Sequence, residues 1–134
     1  MQIIKNKCNL TSFSDFEQNP QYNSALKGRQ IFIENKCDSL ISIGGGSAID
    51  VAKCIYAFSL IDDENYLGWQ RMFKYTPHIA VPTTAGTAAE ATINYVITDV
   101  ERKRKFVCVD VNDIPDIAIV DPDMMSTMPK GLTA

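Results

Sequence analysis

SLISIGGGSAIDVAK, residues 39–53, decides the fold, because it joins two kinds of secondary structure through three consecutive glycines. Residues 39–43 are apolar and rich in β-branched side chains, which is typical of a buried strand in a parallel sheet. Residues 47–61 repeat apolar side chains at helical spacing and predict an amphipathic helix. A strand, a glycine loop and a helix in this order indicate an α/β domain.

The rest of the chain alternates between predicted helices and strands. Residues 22–35 predict a helix, and Asp121-Pro122-Asp123 predicts the start of another. Further strands are predicted at residues 10–16, 79–81, 92–98, 105–110 and 117–120. The segments 92–98 and 105–110 flank a charged turn, which is typical of a β-hairpin. The predicted fold class is therefore α/β with a parallel, Rossmann-like sheet, in which 79–81 and 117–120 are also buried strands.

Composition and charge restrict the class of protein. The chain has 134 residues, of which 46% are hydrophobic and 22% are charged, close to an average globular protein. A net charge of −3 argues against nucleic acid or an anionic membrane as the main partner. No apolar run approaches the roughly 18 residues of a membrane span. The four cysteines lie far apart without a C-x-x-C pair, so we expect reduced thiols and a cytoplasmic protein.

The loop Gly44-Gly45-Gly46-Ser47 suits the binding of a phosphate group. Glycines let backbone N–H groups approach an anion closely, and the following helix directs its unpaired amides to the same point. Ser47 fits two roles, because it can cap the helix with Asp50 as an S-x-x-D capping box or donate its hydroxyl to a phosphate oxygen. The loop is neither a G-x-G-x-x-G fingerprint nor a P-loop. These residues alone support a phosphate site and a tight structural turn equally.

A second loop, PTTAGTAAE at residues 82–90, follows the strand predicted at 79–81. The hydroxyls of Thr83, Thr84 and Thr87 are expected at the carboxyl end of the same sheet, where open α/β sheets bind ligands. Thr87 and Glu90 also fit a T-x-x-E capping box, so a purely structural role stays open for this pair.

GGGSAIDVAK at residues 44–53, followed by PTTAGTAAE at 82–90, resembles the paired signature of the iron-containing (group III) alcohol dehydrogenase family. The resemblance continues through residues 92–110, 113–125 and 128–134, and it includes the turn at Asn19-Pro20. The later half is most similar to the lactaldehyde reductase (1,2-propanediol oxidoreductase) branch. The earlier half also suits a phosphonoacetaldehyde-reductase-like relative.

This resemblance implies a dehydroquinate synthase-like dinucleotide-binding domain over residues 1–134, incomplete at both ends. An all-helical metal-binding domain is expected after residue 134, with one aspartate and three histidines as ligands of Fe²⁺. The implied cofactor within the chain is NAD. By their match to the family motifs, the cofactor-binding residues are Asn19, Gly45, Gly46, Ser47, Thr83, Thr84, Thr87, Asn94 and Lys105. The resemblance places no catalytic residue and no metal ligand in this chain, and the single histidine, His78, matches no ligand.

The activity implied for the full-length protein is reversible hydride transfer between a small primary alcohol or diol, such as 1,2-propanediol, and its aldehyde. In the family, iron polarises the substrate oxygen and the nicotinamide carries the hydride. We expect a homodimer for the full-length enzyme and no activity for this chain alone. Two alternatives stay open: a non-catalytic nucleotide-binding fragment, and a relative of the glycerol dehydrogenase or dehydroquinate synthase branches, which share the GGGS loop.

Overall fold

The computed structural model describes residues 8–59, 76–129 and 131. Its helices and strands are, in chain order, α1 (Tyr22–Glu34), β1 (Leu40–Gly44), α2 (Gly46–Ser59), β2 (His78–Pro82), β3 (Asn94–Asp99), β4 (Arg104–Val109) and β5 (Ile117–Ala118). Short 3₁₀ helices lie at Ala89–Ala91, Val111–Asp113 and Pro122–Met125. No helix in these described ranges is both long and apolar enough to cross a membrane.

The strands form two sheets, and the predicted parallel sheet is confirmed. β1, β2 and β5 lie side by side in the order β1-β2-β5, and both pairings are parallel. β3 and β4 form the predicted antiparallel hairpin. The register places Gly44 beside Pro82, so β1 and β2 end at the same edge of the sheet. The glycine loop (44–47) and the threonine loop (82–90) therefore begin next to each other, at the carboxyl edge of the sheet.

Helix α2 lies at the centre of the packing. Cys54 packs with Ala25 of α1 and Tyr95 of β3, whereas Ile49 packs on Ala80 of β2. Another side of the helix contacts Phe32 through Val51 and Ile55. Burying an aliphatic side chain of this kind stabilises the fold by about 1.5–3 kcal/mol. The helix that begins at the glycine loop is thus held by α1, by the sheet and by the hairpin.

The parallel strands were predicted to be buried, and this is wrong for one face of the sheet. The register aligns Ile41 with Ile79 and Ile79 with Ile117, on the face opposite to Ala80. Ile41 is 43% exposed and Ile117 is 52% exposed, because α2 covers the face that carries Ala80. β5 is also shorter than the segment 117–120 that was predicted as a strand.

Two further predictions concern segments near the ends of the described residues, and one of them is wrong. Residues 10–16 form no strand, and their Phe13 and Phe16 pack on the cluster around Phe32. The start of a helix predicted at Asp121-Pro122-Asp123 is confirmed as a 3₁₀ helix, and the Asp121 side chain accepts a hydrogen bond from Asp123 N at 3.0 Å. The end of the helix predicted over 47–61 lies outside the described residues.

Candidate nucleotide-binding site

The glycine loop begins with a backbone conformation that favours glycine. Gly44 ends β1 with a φ of +154°, which side-chain-bearing residues rarely adopt. A methyl group at this position would lie 2.6 Å from Ala48 Cβ, which is closer than two carbon atoms can pack. Gly44 therefore allows β1 to turn directly into α2, whose first residue is Gly46.

The glycine loop and the threonine loop lie in direct contact. Thr83 N donates a hydrogen bond to Gly44 O at 2.9 Å. A methyl group added at Gly45 would lie 3.1 Å from Thr84 Oγ1, and one added at Gly46 would lie 2.7 Å from Thr87 Oγ1. The absence of side chains at these two glycines thus lets the threonine hydroxyls come against the first turn of α2.

Asn19 connects this pair of loops to the hairpin. Its backbone N donates to Ser47 Oγ at 3.4 Å, and its side-chain Oδ1 accepts a hydrogen bond from Lys105 Nζ at 3.0 Å. Asn19 has a φ of +60°, in the left-handed region that asparagine tolerates better than most residues. The next residue, Pro20, accepts a hydrogen bond from Thr98 N at 2.8 Å. The turn at Asn19 therefore links Ser47, in the glycine loop, to Lys105, on the hairpin.

Asn94 and Lys105 share the outer face of the hairpin. Lys105 lies opposite Thr98. Asn94 is four residues before Thr98 on β3, so the side chains of the two residues lie on the same face of the hairpin. Between them on this face lie Val96 and Val107, a directly opposed pair. Val107 is 63% exposed, so an apolar part of this face is open to solvent.

Neither of the two possible capping boxes forms. α2 begins at Gly46, and Ile49 N donates to Gly45 O, so Ser47 lies inside the first turn. The Asp50 carboxylate accepts instead from Val96 N at 3.2 Å, because β3 presents an unpaired amide to it.

At the second loop, the 3₁₀ helix Ala89–Ala91 is preceded by Ala88 and has no side-chain cap. Thr87 is therefore not the capping residue. The hydroxyls of Thr83, Thr84 and Thr87 make no hydrogen bond to another residue of the described ranges. These donors are available at the junction of the two loops.

The electrostatics of this junction favour an anion. The amino terminus of α2, a helix of 14 residues, carries a partial positive charge and unpaired backbone N–H groups. Lys105 adds an exposed ammonium group on the hairpin. Burial raises the pKa of Asp50, while the hydrogen bond from Val96 N and the charge of Lys53 act in the opposite direction. The arrangement can hold a phosphate or pyrophosphate group.

His78 lies at the opposite edge of the sheet, at the amino end of β2. It is buried, and its Nε2 lies 2.9 Å from Ser42 Oγ. A cavity of about 190 Å³ opens beside it, lined in part by Tyr56 and Thr76. Within the described ranges, no group of three or more His, Cys, Asp or Glu side chains could hold a metal ion. The described residues therefore do not fit an iron site, and their polar groups fit an anion instead.

Comparison with known proteins gives the same family as the motifs. Residues 1–122 match the family model described as iron-containing alcohol dehydrogenase. The chain is 48% identical over 121 residues to lactaldehyde reductase of Escherichia coli (strain K12), covering 87% of this chain and 32% of that protein. It is 40% identical over 126 residues to NAD-dependent methanol dehydrogenase of Bacillus methanolicus, with coverages of 90% and 32%. The chain thus spans about a third of the length of these relatives.

A solved structure with the same fold contains a bound cofactor. The crystal structure of sulfoacetaldehyde reductase from Bifidobacterium kashiwanohense in complex with NAD⁺ has a TM-score of 0.81 and 35% sequence identity, covering 90% of this chain and 33% of that one. The predicted resemblance and the predicted fold class are both confirmed by these comparisons.

Proposed function

We propose that this chain, which belongs to the iron-containing alcohol dehydrogenase family, binds the pyrophosphate of NAD between its glycine loop and its threonine loop. The observation that carries the proposal is the close approach of Gly46 to Thr87 and of Gly45 to Thr84 at the carboxyl edge of the sheet. The NAD⁺ complex of the similar reductase supports NAD as the ligand.

Each predicted site residue has a role in this proposal that its position allows. Backbone N–H groups in the first turn of α2 and the hydroxyl of Ser47 donate to the pyrophosphate oxygens. Thr83, Thr84 and Thr87 supply further hydroxyl donors from the second loop. Lys105 offers a cation to a phosphate or ribose oxygen, and Asn19 holds its ammonium group in place. Asn94 contacts the part of the dinucleotide that extends over the hairpin face.

The whole protein, on this proposal, is an enzyme in which residues 1–134 form part of the dinucleotide-binding domain and a helical metal-binding domain follows. It transfers hydride reversibly between a small primary alcohol or diol and its aldehyde. The 48% identity to lactaldehyde reductase supports 1,2-propanediol as the first substrate to test. Bound Fe²⁺ would polarise the substrate oxygen as a Lewis acid. On this proposal, the described residues of this chain bind and orient the cofactor.

The activity is tested on the full-length protein with NAD⁺ and 1,2-propanediol, by following NADH absorbance. Removing the metal with a strong chelator should abolish turnover, and adding Fe²⁺ back should restore it, because the metal stabilises charge on the substrate oxygen. The 134-residue chain serves as the control, since it should bind NAD⁺ without reducing it. Turnover that survives complete removal of iron and zinc would contradict the metal mechanism.

A further inference from the structure

Lys53, in the middle of α2, is completely buried, with 0% of its surface exposed. A buried ammonium group is costly unless its donors are paired. Its Nζ donates to Thr92 O at 2.6 Å, to Thr92 Oγ1 at 3.2 Å and to Asn94 O at 3.1 Å. These three contacts match the three hydrogens of an ammonium group. Burial lowers the pKa of Lys53, and the carboxylates of Asp50, Asp113 and Glu90 oppose this shift.

These contacts join the parts of the candidate site. Thr92 follows the threonine loop and its 3₁₀ helix, and Asn94 begins the hairpin. Lys53 itself belongs to the helix that begins at the glycine loop. One side chain therefore fixes the helix of the first loop to the point where the second loop becomes the hairpin.

The free edge of β3 explains why a charged side chain is buried here. Ile93 O accepts from Asp110 N, so the odd-numbered residues of this strand point their backbone groups towards β4. The even-numbered residues point away from β4, and each finds another partner. Lys53 donates to Asn94 O, Asp50 accepts from Val96 N, and Pro20 O accepts from Thr98 N. Side chains of α2 and the turn before α1 thus replace a neighbouring strand.

We propose that Lys53 is a positioning residue of the cofactor site, which sets the hairpin face at the distance from the glycine loop that one dinucleotide must span. This inference rests on the proposed binding of NAD. Lys53 does not contact the cofactor, and its effect is transmitted through Thr92 and Asn94. A ligand that spans both parts of the site depends on this distance, whereas a ligand held by the two loops alone does not.

The test compares NAD⁺ with inorganic pyrophosphate as ligands of the 134-residue chain. Lys53→Met should weaken NAD⁺ binding by about tenfold or more, while pyrophosphate binding changes by less than about twofold. NAD⁺ affinity is measured by calorimetry, and pyrophosphate affinity by NMR titration of the amides of Gly45, Gly46 and Ser47. Lys53→Arg, which keeps a cation with several donors, should restore most of the NAD⁺ affinity. Lys27→Met, at an exposed lysine of α1, is the matched control and should change neither affinity.

Thermal unfolding of each variant shows whether it is folded, and only the affinities of folded variants are compared. If Lys53→Met does not fold, Thr92→Val decides, because it removes one of the three acceptors and should lower NAD⁺ affinity selectively by about two- to fivefold. Equal losses for both ligands, or none, in the folded variant would overturn the positioning role. A wild-type chain that binds neither ligand would overturn the proposed function and this inference with it. If the wild-type chain binds NAD⁺ but the Lys53 variants do not behave as expected, only the positioning role of Lys53 is overturned and the proposed binding of NAD stands.

Discussion

His78 illustrates how the surroundings of a single residue set its chemistry. Its ring is buried beside Ser42, and its backbone N donates to the Asp116 carboxylate at 2.8 Å. The pKa of His78 is lowered to about 4, mainly by burial and also by the charge of Lys53, while the charge of Asp116 opposes the shift. The imidazole is therefore neutral in the folded chain at neutral pH, which agrees with a structural role and excludes its use as a cation for phosphate.

A pH dependence of stability follows from this lowered pKa. The unfolded chain takes up a proton on His78 below its ordinary pKa of 6.5, but the folded chain does so only near pH 4. This contribution to stability is complete above pH 6.5 and is lost as the pH falls towards 4. Between pH 7 and pH 5 the loss should be about 2 kcal/mol. Urea unfolding at both pH values measures it.

His78→Gln is the control for this prediction, since glutamine can hydrogen-bond Ser42 but does not titrate. The variant should lose clearly less stability between the two pH values than the wild type. An equal loss in both proteins would show that other groups cause the acid sensitivity.

Single residues also show where sequence reasoning failed. Ser47 and Thr87 both fit capping boxes by spacing, yet neither caps its helix. The decisive partner of Asp50 is Val96 N, which lies 46 positions away. Lys53 was not recognised at all, because a lysine at its position in an amphipathic helix normally reaches solvent. Such contacts depend on which strand lies beside the helix, and spacing along the chain does not contain that information.

Among the elements, the hairpin and the glycine loop must act together if they bind one ligand. Lys105 on β4 reaches Asn19, whose backbone contacts Ser47. Lys105→Met should therefore weaken NAD⁺ binding by about three- to tenfold at low salt. Because the side chain is exposed, the difference from wild type should shrink as salt is raised. Calorimetric titrations at low and high ionic strength measure both effects.

Lys103→Met is the matched control, because Lys103 is also exposed but lies in the turn between β3 and β4. It changes the net charge equally without removing the contact to Asn19. If both variants lost the same affinity, Lys105 would act only through the overall charge of the chain.

The elements themselves were largely predictable from hydrophobic periodicity and turn residues. Helices α1 and α2, strands β1 and β2 and the β3–β4 hairpin appear within a few residues of their predicted positions. Burial was less predictable, since an apolar β-branched strand looks the same whether one or both faces are covered. Ile41 and Ile117 lie on a face that α2 does not cover, and their side chains are about half exposed.

At the scale of the molecule, the two loops and the hairpin converge on one edge of the sheet. The motif order predicted this convergence for the glycine and threonine loops, because parallel strands that end together bring their loops together. It did not predict that Asn19 would connect them to Lys105, since that contact joins residues 86 positions apart. Contacts between α2 and β3 fix the hairpin beside the two loops.

The most direct test of the central claim is the affinity of the chain for NAD⁺ when the contact between the loops is disturbed. Gly46→Val places a branched side chain against Thr87 Oγ1, where even a methyl group would lie at 2.7 Å. Gly131→Val is the matched control, because Gly131 lies outside both loops and a side chain there meets no atom within 4 Å. Calorimetry should show at least about tenfold weaker binding for Gly46→Val, about 1.4 kcal/mol, and a nearly unchanged affinity for Gly131→Val. Unchanged NAD⁺ affinity in a folded Gly46→Val chain would contradict the claim and reduce the loop to a structural turn.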